Sequence, residues 1–78
     1  MKFYVYVIYS EAHDKFYIGQ TYDIKDRIRR HNKGLERATS PYIPWILKCI
    51  IEKDSRGAAL ILEKKLKNLN RIKLTQFI

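Results

Sequence analysis

Cysteine is all but missing. Cys49 stands alone among 78 residues, so no internal disulfide can form and the fold must hold by packing. With one cysteine and two histidines, the chain also lacks the nitrogen and sulfur donors of a Cys-rich tetrahedral zinc site. Long apolar runs are absent too. The longest, Phe3 to Tyr9, is far below the roughly 20 residues needed to cross a bilayer, which excludes a membrane span. No basic, apolar, small-residue sequence of signal-peptide form opens the chain, and a cytoplasmic location is expected. Repeats, low-complexity tracts and linkers are lacking, and the length leaves room for one core, so residues 1–78 are expected to form one domain. A domain this small removes only about 60% of its unfolded surface from water. Its core must therefore draw on most of the 46% of residues that are hydrophobic.

Negative charge is the scarcer sign. Eight Asp and Glu face sixteen Lys and Arg, a net charge of +8, which points to a polyanionic partner. The excess is uneven. Residues 1–22 balance Lys2 and Lys15 against Glu11 and Asp14. Between 24 and 37, Lys25, Arg27, Arg29, Arg30, Lys33 and Arg37 outweigh Asp26 and Glu36; between 63 and 73, Lys64, Lys65, Lys67, Arg71 and Lys73 outweigh Glu63. Two basic clusters beyond a neutral start suit a phosphate backbone, whose neutralisation releases counterions and gives sequence-independent affinity.

The opening Lys2–Ser10 run is aromatic and β-branched and apolar on both faces, which predicts a strand central in its sheet. A polar break at Glu11–Lys15 leads to Phe16–Gln20, a second strand that pairs with the first as a hairpin. From Asp23 the period changes to one helical turn, with Ile24 and Ile28 aligned, Asp23 or Thr21 as N-cap and Gly34 as the stop, giving a helix over about 23–33. Thr39, Ser40, Pro41 and Pro44 make 35–44 an irregular surface loop. Trp45–Lys53 reads as a third strand. After a cap at Asp54 or Ser55, Ala58, Leu62, Leu66 and Leu69 define a helix over about 56–68, which Asn68 and Asn70 interrupt. A last short helix holds Ile72, Leu74 and Phe77. The order is β-β-α-β-α-(α), an α/β unit of the α+β type.

Tyr4 and Tyr6 occupy alternate strand positions and leave one face about 7 Å apart. Tyr17 stands on the partner strand two residues before Gly19, whose missing side chain leaves room for a backbone or a phosphate to approach. Arg27 and His31, four apart on the first helix, share a face. Glu63 is an acidic residue in an otherwise basic helix. A phenol, a guanidinium and an imidazole can thus converge, with one carboxylate from elsewhere. Each residue also has a plainer explanation: strand aromatics with wet hydroxyls, surface charge, or an i,i+4 pair between Glu63 and Lys67 worth about 0.3–0.5 kcal/mol.

Tyr4-Val5-Tyr6, with Tyr17-Ile18-Gly19 on the next strand, resembles the paired signature of the GIY-YIG nuclease superfamily. The spacing continues through Arg27, His31 and Glu63, and the Pro41–Trp45 run resembles the small free-standing bacterial members of that superfamily. The resemblance implies a small three-stranded antiparallel sheet flanked by helices. It also implies endonuclease hydrolysis of a DNA phosphodiester with one Mg²⁺ or Mn²⁺ ion. Carried over residue by residue, Glu63 is the sole protein ligand of the metal and Arg27 stabilises the transition state. Tyr6 is the first choice as general base and Tyr17 the second, with Arg27, the metal and the positive field expected to favour phenolate and His31 to relay the proton. Tyr4, Gly19, Gln20, Arg29, Arg30, Lys33, Lys65 and Lys67 are the expected substrate contacts. DNA, branched or flapped, is the expected partner, with a protein partner supplying specificity if the domain has little of its own. The alternative is a nucleic-acid-binding module of the same fold that cuts weakly or not at all, since neither Asn68 nor Asn70 takes the place of an asparagine that many active relatives carry.

Overall fold

The aromatic opening run forms β1 (Phe3–Ser10), and in the computed structural model, which describes residues 1–78, it is the middle strand of three. Val5, Tyr6, Val7 and Ile8 are wholly buried because β2 (Lys15–Thr21) and β3 (Ile46–Lys53) pair antiparallel on its two edges and helices cover both its faces. The hairpin turn closes through Asp14, whose φ of 52° is left-handed, a conformation Asp tolerates because its short carboxylate bonds locally. Here that carboxylate accepts from Tyr9 Oη at 2.6 Å and pairs with Arg71, tying the turn to the end of the chain.

Helix α1 (Ile24–Asn32) starts at Asp23, whose side chain accepts the Asp26 N–H at 3.1 Å. It ends where Gly34, at φ +75°, takes the left-handed turn that a side chain would strain. Helix α2 (Arg56–Lys67) is capped by Ser55, which accepts the Ala58 N–H. Asn68 then closes α2 and Asn70 opens α3 (Arg71–Phe77), so the two asparagines do interrupt the helical run.

The predicted surface loop at 35–44 needs correction. It carries one turn of 3-10 helix at Ser40–Tyr42, and Thr39 within it is 1% exposed. Trp45 draws the loop inward: its indole N–H donates to the Thr39 carbonyl at 3.0 Å, while Asn32 at the end of α1 bonds both the N–H and the C=O of Trp45.

Strand alternation divides the apolar residues between two faces. Val5, Val7 and Ile18 pack with Ala59, Leu66 and Leu74 under α2 and α3. Tyr6, Ile8 and Trp45 pack with Tyr17, Ile24, Ile28 and Leu47 under α1 and the loop. No helix is long and apolar enough to cross a membrane. Leu66, 2% exposed, fills the first cluster, so Leu66→Ala is expected to cost about 2–5 kcal/mol. A lower urea midpoint at unchanged slope checks this.

Candidate active site

The site begins with one cross-strand pair. Register sets Gly19 opposite Tyr6, and a Cβ built at Gly19 would stand 2.5 Å from Tyr6 Oη and 2.7 Å from Cζ. The space left by the glycine is therefore filled by the Tyr6 ring lying across β2, where the sequence led us to expect a backbone or a phosphate. Held there, Tyr6 Oη reaches His31 Nε2 on α1 at 2.8 Å. His31, 1% exposed, uses its other nitrogen, Nδ1, to meet Thr39 Oγ1 at 2.7 Å. Tyr17, opposite Ile8 and half-buried, packs edge-on against the His31 ring with centroids 5.3 Å apart and against Trp45 at 6.4 Å.

The three arginines of α1 have different partners. Arg29 Nη2 pairs with Asp26 at 2.8 Å and Arg30 Nε with Glu36 at 2.9 Å. Arg27 forms no ion pair, and its guanidinium lies near enough to Tyr6 to pull the phenol's pKa down in part. Burial outweighs it. Desolvation, reinforced by neighbouring Tyr17, pushes Tyr6 well above its ordinary value of 10, so in the free protein the phenol keeps its proton. Arg27 alone does not bring Tyr6 to phenolate, because a buried anion loses more hydration than one cation returns. Burial likewise holds His31 below its ordinary 6.5, opposed by Glu36 and aided by Arg27 and Arg30. The Arg30 bond holds Glu36 below the usual carboxylate range.

Residues 2–75 match the GIY-YIG catalytic domain. The chain belongs to the GIY-YIG family. Its fold is similar to the solution NMR structure of the UPF0213 protein BH0048 from Bacillus halodurans, at 29% identity and a TM-score of 0.64, over 99% of this chain and 82% of that one. None of the curated proteins matches it. The element order read along the sequence, and the three-stranded antiparallel sheet flanked by helices that the GIY-YIG resemblance implies, are those observed.

Of the GIY-YIG residues named from the sequence, Tyr6, Tyr17, Arg27 and His31 come together on the α1 face, with Tyr4 two residues along the same side of β1. Glu63 comes from α2, which packs on the opposite face. It shares the sheet-facing stripe with Ala59 and Leu66, its side chain is 14% exposed, and Lys67 Nζ pairs with it at 2.7 Å. No hydrogen bond or salt bridge joins it to the tyrosine cluster. Gln20, opposite Val5, also belongs to the α2 side, and its Oε1 is buried without a partner. Arg29, Arg30 and Lys67 are committed to carboxylates, whereas Lys33 and Lys65 carry no ion pair. Sequence reasoning missed Thr39 and Glu36. Nothing in a run of Thr, Ser and Pro marks one hydroxyl as buried; the one available hint was Trp45, an indole whose N–H must find an acceptor once buried.

Two outcomes follow from this packing. Gly19→Ala is expected to cost about 1–3 kcal/mol by overpacking against Tyr6 and to shift the His31 ring resonances as the phenol is displaced. Because folding lowers the His31 pKa, the unfolded chain binds the proton first as pH falls. Stability present above 6.5 is therefore lost as pH drops toward the folded value. The urea midpoint should fall as pH drops below His31's ordinary 6.5, and His31→Gln should flatten that slope.

Proposed function

We propose that this GIY-YIG domain is a divalent-metal-dependent endonuclease that hydrolyses DNA phosphodiester bonds, with selectivity set by DNA shape or by a protein partner. The observation that carries this reading is an arginine without an acidic partner beside two tyrosines and a histidine on one sheet face. A fixed guanidinium fork unclaimed by carboxylate is suited to the charge that builds on phosphoryl oxygens in the transition state. Cations without ion pairs elsewhere on the surface, among them Lys33 and Lys65, supply affinity for the backbone.

The donor set fits one kind of ion. No three His, Cys, Asp or Glu residues gather to cage a metal. A lone half-buried carboxylate matches Mg²⁺ or Mn²⁺ that keeps most of its ligands as water and substrate phosphate. Glu63 would hold that ion in exchange for Lys67, and because α2 lies across the sheet from Tyr17 and Arg27, the ion would meet the phosphate only where the substrate spans both sides. When bound, the ion supplies Lewis-acid stabilisation of the phosphate and the leaving oxygen. Burial divides the work between the tyrosines. Tyr17, the more exposed of the two, faces the phosphate and the attacking water as general base, and Tyr6 stands behind it with His31. This reverses the order in which the sequence ranked them.

Purified protein is expected to nick supercoiled plasmid or a flapped oligonucleotide with Mg²⁺ or Mn²⁺, to stop on addition of chelator, and to lose cutting in Glu63→Ala with the fold intact by circular dichroism. Arg27→Lys should lower kcat by about 10²-fold or more. Undiminished cutting by Glu63→Ala overturns the assignment. The complete burial of Tyr6 and the Glu63–Lys67 pair favour one second reading, a nucleic-acid-binding module with slow catalysis. That reading is identified by salt-sensitive gel shifts that yield no cleaved product.

A further inference from the structure

Three buried hydrogen-bonding groups lie in a row: Tyr6 Oη, His31 and Thr39 Oγ1, at 0%, 1% and 1% exposure. Each carries one hydrogen to donate when the imidazole is neutral, and the acceptors in reach fix where all three go. Tyr6 Oη has one acceptor in reach, His31 Nε2. Its cationic neighbour Arg27 offers donors only, so if Nε2 carried the imidazole hydrogen, the phenol hydrogen would be buried without an acceptor. Thr39 is different. Its hydroxyl has a second acceptor, the Glu36 carbonyl at 3.4 Å, so it is free to receive from His31 Nδ1. One assignment leaves no donor orphaned: Tyr6 O–H to Nε2, Nδ1–H to Thr39 Oγ1, Thr39 O–H to the Glu36 carbonyl. The Thr39 backbone is anchored by the Trp45 indole at 3.0 Å, so the hydroxyl is held in place by an element outside α1.

We propose that Thr39 is a positioning residue that locks His31 as its Nδ1–H tautomer, leaving the Nε2 lone pair aimed at Tyr6. The tautomer follows from the geometry alone. Its consequence for catalysis rests on the nuclease reading: Nε2 is then the point in the buried wall that takes up a proton. In that step Tyr17 takes the proton of the attacking water, whose O–H electron pair goes to phosphorus; the Tyr17 phenol proton passes to Tyr6 Oη as the Tyr6 O–H proton passes to Nε2, so both phenols end neutral and His31 ends as imidazolium. The charged groups around His31 that bear on this step are Arg27, Arg30 and Glu36, with the Tyr6 and Tyr17 phenols beside it.

Long-range proton–nitrogen correlation spectra of the imidazole test the tautomer without any substrate. The wild-type chain at neutral pH is expected to show a protonated Nδ1 and an unprotonated Nε2. Thr39→Ser should keep that pattern, and Thr39→Val, which takes away the acceptor of Nδ1–H, should raise the share of the Nε2–H tautomer. In plasmid nicking, Thr39→Val should lower kcat by about 10- to 100-fold at unchanged KM, with Thr39→Ser restoring it. A wild-type Nε2–H tautomer, an unaltered tautomer in Thr39→Val, or a Thr39→Ser protein that behaves like Thr39→Val overturns the proposal. A chain with the expected spectra that cuts no DNA overturns the nuclease reading instead and leaves the tautomer standing.

Discussion

The site depends on a side chain that is not there. Gly19 faces Tyr6 across the β1–β2 ladder, and only hydrogen at that position lets the phenol ring lie flat over the neighbouring strand. From that placement the rest follows in order. The hydroxyl reaches α1 at His31, His31 reaches the loop at Thr39, and Thr39 is held by Trp45 at the start of β3. One missing methyl group thus couples two strands, a helix and a loop. The chain of bonds is buried end to end, where a hydrogen bond is strong and an unpaired donor is costly.

The sheet keeps two kinds of chemistry apart. On the α2 side, aliphatic residues from β1 and β2 meet Ala59, Leu66 and Leu74 in a packed core. On the α1 side the same strand presents Tyr6 and Ile8, which pack with Trp45, Ile24 and Ile28, and only here do a histidine and an arginine stand against the apolar cluster. Because β1 is the middle strand, its residues serve both faces in alternation, and no position on it is free of either structure or site. Glu63 is the exception to the division. It is a carboxylate on the sheet-facing stripe of the helix that covers the hydrophobic side, held by Lys67.

Charge alone ranked the α1 arginines equally, and pairing separated them. Asp26 lies three residues before Arg29 on the helix surface, and Glu36 returns from the loop to Arg30, so both cations are neutralised locally. Arg27 points toward the tyrosines and has no carboxylate. The +8 net charge attracts a polyanion to the molecule as a whole; among the α1 arginines, the lack of an ion pair at Arg27 is what leaves that guanidinium available to a phosphate.

Local order was legible without coordinates. The Lys2–Ser10 run marked the central strand, Asp23 and Gly34 bounded α1, Ser55 opened α2, and the two asparagines divided α2 from α3. Each of these depends on neighbours within a few residues, through side-chain period, caps and backbone freedom, which one dimension records. The spacing of Tyr6, Tyr17, Arg27 and His31 likewise led to the family to which the chain belongs. Burial was decided elsewhere. Whether the Tyr6 phenol is wet or dry, whether the gap at Gly19 admits a phosphate or a ring, and whether Thr39 lies on the surface or beneath it depend on residues 6 to 25 positions away. Those distances close only when the sheet register and the Trp45 anchor bring the partners together. The sequence therefore determined which groups the protein owns and in what order, and tertiary packing decided their protonation, because the cost of a buried charge is set by everything that surrounds it in space.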